Sequence, residues 1–208
     1  MRELATEPER TRDFERFLTF LDAIAAIAIT LLVLPLVDLA GDFDEAGSVW
    51  QLLQDHWARI GAFFLSFLVI ARLWSVQHTI LHHVVTTSAV LTRLLLWWSL
   101  TIVVLPFPTA LVATSGASHQ AATKILYVGT VAVSSFVLSV LSLVIARTDE
   151  LRDSADTPDV GRSFATSVTF VLALAVMLLA PVTSYWPLLL ILVSERAWET
   201  IRSFLRRG

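Results

Sequence analysis

Hydrophobic and polar residues occupy this chain in long blocks rather than at short intervals. Apolar runs of membrane-spanning length cover residues 17–37, 60–81, 94–114 and 125–146, and short charged segments separate them. A bilayer core requires about 20 consecutive apolar residues in helical form. Each run therefore predicts a transmembrane helix.

A longer run without charge follows at 163–194. It exceeds the length of one span, and its segment APVTSYWP contains Pro181 and Pro187, which interrupt helices. We therefore predict a fifth span over 163–180 and a sixth over 185–204. The charged second half of the sixth helix is expected to extend beyond the lipid.

Composition supports a membrane protein. Hydrophobic residues make up 56% of the 208 residues and charged residues 16%, and the mean hydropathy is +0.72. A soluble domain of this size could not bury so much apolar surface. The predicted fold class is all-α, a single integral membrane domain over residues 1–208 with six transmembrane helices.

Several kinds of chemistry are absent from the sequence. It has no cysteine, which excludes disulfides, iron–sulfur clusters and thiol nucleophiles. It has no Gly-rich phosphate loop and no Ser-centred elbow, so we do not expect an enzyme. Basic patches with interleaved aromatic residues are also missing, so nucleic acid is not an expected partner.

The distribution of basic residues predicts the orientation. They collect at the N-terminus, near Arg93, in the linker 147–162 and at the C-terminus, whereas the opposite loops carry only Arg59 and Lys124. The positive-inside rule then predicts that both termini are cytoplasmic, which requires an even number of spans. We expect a multi-pass protein of the cell membrane. The acidic loop at 38–55 is external, either as a solvated loop or as a means of concentrating cations at a pore mouth.

Ionisable residues within membrane helices are candidates for function. Asp22, Arg72 and His78 qualify, with Arg16 at the edge of the first span, and all lie toward the cytoplasmic ends of the first two spans. Trp74 and His78 are four residues apart and share a helix face. We expect the Asp22 carboxylate to be paired by these groups, either as a structural clamp or as one that moves during gating.

The histidines also raise the question of a metal site. His78 and His82 have the i, i+4 spacing of helical metal ligands, and His83 follows. No carboxylate lies close by in sequence to complete a site. A metal is therefore not expected, and a membrane enzyme or metal protein that uses these histidines stays an alternative hypothesis.

An apolar stripe follows Asp22 on the first helix. Ile27, Leu31 and Leu34 fall at i, i+4 and i+7, and Thr30 adjoins them. Periodicity alone does not distinguish a functional stripe from one that faces lipid or the core. The Thr30 hydroxyl either serves that face or bonds back to the carbonyl of Ala26.

The first helix opens with Arg16, Phe20 and Asp22, which fit the R-x-x-x-F-S-D pattern of a known family. The chain resembles the transmembrane protein 175 family of endosomal and lysosomal potassium channels, at the length of the short prokaryotic branch. Further segments follow in the family's order: AIAITLLVLPL at 26–36, WSVQH at 74–78, HH at 82–83 and LPFPTALV at 105–112.

The resemblance implies a homotetramer in which the first helix of each subunit lines a potassium-permeable pore. It places apolar constriction rings at Ile27, Leu31 and Leu34 and a hydroxyl ring at Thr30. Apolar rings can gate by dewetting, and hydroxyl groups can replace part of an ion's hydration. The sequence has no TVGYG-like filter, so potassium selectivity is expected to be modest. Potassium is the permeant ion, and no cofactor is implied.

The sequence departs from the family pattern at two places. Leu21 stands where the family has Ser, and the third helix reads LLWWSL, without the Asn expected near Trp98 or Ser99. The alternative function is a secondary transporter, which usually places ionisable or unwound sites at the membrane midplane. Here the charges lie near the cytoplasmic ends of the helices, which argues against a transporter.

Overall fold

The computed structural model describes residues 7–42, 47–82, 84, 86, 88–114, 120–148 and 151. Its α-helices in this part of the chain are α1 (Glu7–Leu31), α2 (Leu34–Val37), α3 (Val49–Asp55), α4 (Trp57–Leu81), α5 (Ala89–Val104), α6 (Pro106–Thr114) and α7 (Gln120–Arg147), and η1 (Asp38–Asp42) is a 3-10 helix. The all-helical class is thus confirmed for the described residues. The predicted spans at 163–180 and 185–204 lie outside them.

Within this part of the chain, four helical segments are long and apolar enough to cross a membrane: Arg12–Gly41, Trp57–Leu81, Ala89–Ala113 and Ala122–Arg147. At roughly 1.5 Å per residue, 25 helical residues reach about 37 Å, more than the bilayer core of about 30 Å. Each of the first four predicted spans overlaps one of these segments.

The first candidate span is interrupted near its end. α1 ends at Leu31 and α2 begins at Leu34, with Pro35 in its first turn. Pro35 has no N–H and cannot donate to the carbonyl of Leu31, four residues earlier. Between the two helices, the N–H groups of Leu32 and Val33 instead donate three residues back, at 3.3 and 3.2 Å. The single helix predicted here is therefore divided.

A proline also divides the third candidate span. α5 ends at Val104, and α6 begins at Pro106. Leu105 between them donates its N–H three residues back, to the carbonyl of Ile102, at 3.3 Å. Pro106 cannot donate to that carbonyl, since it has no N–H.

The core lies between the candidate spans. α7 packs against α4, α5 and α6, while α1 packs against α4 and α5. Side chains spaced three or four residues apart form the buried face of each helix, as a 3.6-residue period requires. On α1 these are Phe14, Leu21, Ala25 and Ala28, and Leu32 extends this face just after the helix ends.

The segment between the first two candidate spans contains defined helices. η1 follows α2 directly, and α3 begins after Ser48, whose hydroxyl oxygen accepts the N–H of Gln51 at 3.2 Å. This side-chain cap satisfies one of the free N–H groups at the helix start. Gly47 has a φ of 68°, a left-handed backbone that glycine adopts most readily. The loop predicted over 38–55 is therefore helical in part.

Candidate functional site

A hydrogen bond joins the first two candidate spans. The indole Nε1–H of Trp74 on α4 donates to Oδ1 of Asp22 on α1, at 2.8 Å. This distance is typical of a strong bond to a carboxylate. Asp22 is half-buried and Trp74 lies at the surface of the chain. The pairing predicted for these two residues is present, while its role in gating stays a prediction.

His78 contacts this pair by stacking on the indole ring of Trp74. The rings of Trp74 and His78 are stacked, with centroids 5.6 Å apart and planes inclined by 30°. The four-residue spacing produces this contact, because it places both rings on one face of α4. Arg16 is exposed on α1, and Arg72 is half-buried on α4. The hydrogen bond to Asp22 thus comes from the indole, with the imidazole packed behind it.

The stripe behind Asp22 points away from the core. Ile27, Leu31 and Leu34 are 58%, 41% and 54% exposed, and Thr30 is exposed beside them. In a single copy of the chain the stripe therefore does not face the core, and the core-facing interpretation is wrong. Leu34 shares this exposure although it follows the break in the helix, so the stripe continues across two helices.

The Thr30 hydroxyl bonds within its own helix. Its Oγ1–H donates to the carbonyl of Ile27 at 2.8 Å, and not to Ala26 as expected for a local back-bond. A threonine hydroxyl has one proton and two lone pairs. With the proton used inside the helix, the oxygen acts as an acceptor toward whatever lies against the exposed face.

The two departures from the family pattern fall in the core. Leu21 is buried on α1, and Trp98 and Ser99 are buried on α5. The Ser99 hydroxyl donates to the carbonyl of Leu96 at 2.9 Å. An apolar side chain at position 21 thus adds to the packing, while its neighbour Phe20 points outward.

Sequence reasoning missed a second polar contact, here called the hydroxyl chain: Thr109, Ser66 and Tyr127. The hydroxyl oxygen of Ser66 on α4 lies 2.8 Å from that of Thr109 on α6 and 3.1 Å from that of Tyr127 on α7. Thr109 also bonds the carbonyl of Leu105 at 2.8 Å. All three side chains are buried, so the hydroxyl chain links three helices inside the core.

The histidines do not form a metal site in the part of the chain that is described. No group of three or more His, Cys, Asp or Glu side chains with metal-binding geometry occurs there. His82 is exposed at the end of α4, and His83 lies outside the described residues.

Together these features define a helical membrane protein in which an Asp–Trp hydrogen bond joins the first span to the second. Residues 16–106 match the family described as Endosomal/lysosomal potassium channel TMEM175. The resemblance noted from the sequence is thereby confirmed over this range, which begins at Arg16 and ends where α6 begins.

A curated relative agrees with the family match. A protein of Streptomyces collinus (strain DSM 40733 / Tue 365), named as a potassium channel, is 35% identical over 107 residues, which are 50% of this chain and 51% of the relative. The chain thus spans about half the length of that relative. No solved structure matches the present chain significantly. Both matched descriptions name a potassium channel.

Proposed function

We propose that this protein is a potassium channel that conducts K⁺ passively through a pore lined by α1 from four copies of the chain. The observation that carries the proposal is the outward stripe of Ile27, Leu31 and Leu34, which runs along α1 and into α2 in the segment that opens the family match. Within the most apolar stretch of each candidate span, 22% of the first span is buried, against 39% of each of the other three. The first span thus has the largest surface left for partners.

The chemistry of this stripe suits a gated cation pore. Rings of Ile27, Leu31 and Leu34 around a common axis would form apolar constrictions, which close a pore by excluding water. The Thr30 oxygens would lie within this apolar wall as acceptors for a partly dehydrated cation. Because selectivity would rest on side chains rather than on rings of backbone carbonyls, a modest preference for K⁺ over Na⁺ is expected.

Charges at the helix ends support a cytoplasmic location for both termini. Arg12 and Arg16 lie near the start of α1, Arg93 lies in the first turns of α5, and Arg147 ends α7. The positive-inside rule assigns these three ends to the cytoplasm. Two further spans within residues 163–204 would return the C-terminus to the same side of a cell membrane.

Ion flux from liposomes tests the proposal. Purified protein should release K⁺ down its gradient faster than Na⁺, without a coupled ion. Ile27→Asn should raise the K⁺ flux severalfold, because it replaces an apolar constriction with a hydrated one. Ile125→Asn is the matched control, since Ile125 is also an exposed isoleucine but lies on α7. Equal fluxes from both variants would refute the pore assignment, and a requirement for protons would favour a transporter.

A second test uses the absence of cysteine. Thr30→Cys provides a single thiol, which a positively charged methanethiosulfonate reagent can modify. Modification should block K⁺ flux if position 30 lines the pore. Ile125→Cys should react without loss of flux, and a Thr30→Cys protein that is modified but conducts normally would contradict the assignment.

A further inference from the structure

We propose that α3 is an interfacial helix that lies on the external surface of the membrane, with Val49, Trp50 and Leu53 inserted between the lipid headgroups. The starting observation is their exposure. Trp50 is 70% exposed, and Val49 and Leu53 are also exposed. A tryptophan side chain with this much exposed surface is unfavourable in water, but tryptophan is typical of the boundary between lipid headgroups and acyl chains.

The residues of α3 separate cleanly into two faces. Successive residues of a helix are rotated by roughly 100°. On this wheel Val49, Leu53 and Trp50 share one side, while Gln51, Gln54 and Asp55 lie on the opposite side. Leu52 lies between them at the edge of the apolar side, and it is the one half-buried residue of this helix. The exposed apolar side is thus distinct from the side that contacts the protein.

The position of α3 in the chain brings it to the membrane surface. The candidate span before it ends at Gly41, and the next begins at Trp57, so His56 alone separates α3 from a membrane-spanning helix. The backbone of His56, with φ −112° and ψ 17°, departs from helical geometry. α3 is therefore not a continuation of α4. It can run along the surface while α4 enters the lipid.

The membrane is the occupant that these observations favour. Trp57, the first residue of α4 and two positions after the end of α3, is also exposed. Amphipathic helices with an aromatic residue on the apolar face bind in the interface plane. The side opposite carries two amides and a carboxylate, which would remain in water. This inference concerns the lipid contact alone and does not depend on ion conduction.

Spin labelling of the full-length protein in liposomes tests the inference. Because the native chain has no cysteine, Leu53→Cys and Gln51→Cys each carry one nitroxide, on opposite sides of α3. Collisions with oxygen, which concentrates in lipid, are compared with collisions with a water-soluble nickel chelate. The oxygen-to-nickel ratio should be severalfold higher at position 53 than at position 51.

Two outcomes would overturn the inference. Equal accessibility to the nickel chelate at both positions would show that α3 is fully in water. Low accessibility to both reagents at position 53, with an immobilised spectrum, would show that a second copy of the chain covers this side. Neither substitution removes a buried side chain, so both variants are expected to fold.

Discussion

The two polar contacts that join the candidate spans differ in burial and in chemistry. The hydroxyl chain of Ser66, Thr109 and Tyr127 is neutral and buried, and it joins α4, α6 and α7. The contact between Asp22 and Trp74 includes a carboxylate, lies near the surface and joins α1 to α4. One contact holds three helices together inside the core, and the other attaches α1 at their surface.

This difference follows from the cost of burying polar groups. A hydroxyl can be buried in an apolar medium once it is hydrogen-bonded, whereas a carboxylate needs far more compensation. The hydroxyl chain can therefore lie inside the bundle, and Asp22 can lie only where water or further partners reach it. We expect loss of the first contact to reduce stability, and loss of the second to alter transport while stability changes little.

The largest effect is expected for Tyr127→Ala. This change removes a buried ring as well as a member of the hydroxyl chain, and truncation of a buried aromatic side chain costs about 3–5 kcal/mol. The free energy of unfolding in mixed SDS micelles measures the loss. Phe136→Ala is the control, because Phe136 is an exposed ring on the same helix. Similar losses for both variants would contradict the assignment of Tyr127 to the core.

A smaller loss is expected for Ser66→Ala. It leaves the backbone and volume nearly unchanged but removes the central hydroxyl, to which both neighbours are bonded. Hydrogen bonds between membrane helices contribute about 0.6 kcal/mol on average, so the loss of two predicts about 1–2 kcal/mol in the same unfolding measurement.

The control for this change is Ser75→Ala, an exposed serine on the same helix. Ser66→Ala combined with Thr109→Val should cost less than the sum of the single changes, because both remove the same bond. Additive losses would show that the two hydroxyls do not act together.

The Asp–Trp contact could be predicted from sequence, whereas the hydroxyl chain could not. A carboxylate in an apolar run is rare, and Asp22 and Trp74 lie at similar depths in neighbouring spans, so few pairings were available. Serine and threonine are common in membrane helices and can bond to backbone carbonyls of their own helix, so their presence alone does not indicate a contact between helices. Ser66 and Tyr127, which are 61 positions apart, carry no local pattern that links them.

The sequence does mark the break in the first span, at Pro35, but the interpretation of the hydrophobic periodicity did not take it into account. Pro35 removes one helical donor, yet the i, i+4, i+7 spacing assumed a continuous helix through Leu34. The exposure of Ile27, Leu31 and Leu34 was not predictable either. All sides of a membrane helix are apolar, so only the packed arrangement reveals which side faces the core.

A still smaller loss of stability is expected for Trp74→Phe. The change removes the Nε1–H that bonds Asp22 but keeps a ring to stack on His78. The predicted loss is about 0.6 kcal/mol, the average for such bonds in membranes. Potassium flux should nevertheless change severalfold, because α1 loses its bond to α4. Trp97→Phe, on the exposed side of α5, is the control and should leave both quantities unchanged.

Asp22→Asn separates the charge of this contact from its geometry. The amide oxygen can still accept the indole N–H, so stability should stay within about 0.5 kcal/mol of the native protein, as for most surface changes. A changed flux in this variant would assign the effect to the carboxylate charge, and an unchanged flux would assign it to the hydrogen bond. If Trp74→Phe destabilised the protein more than Ser66→Ala, α1 would belong to the same fixed unit as the hydroxyl chain, and the distinction between the two contacts would be lost.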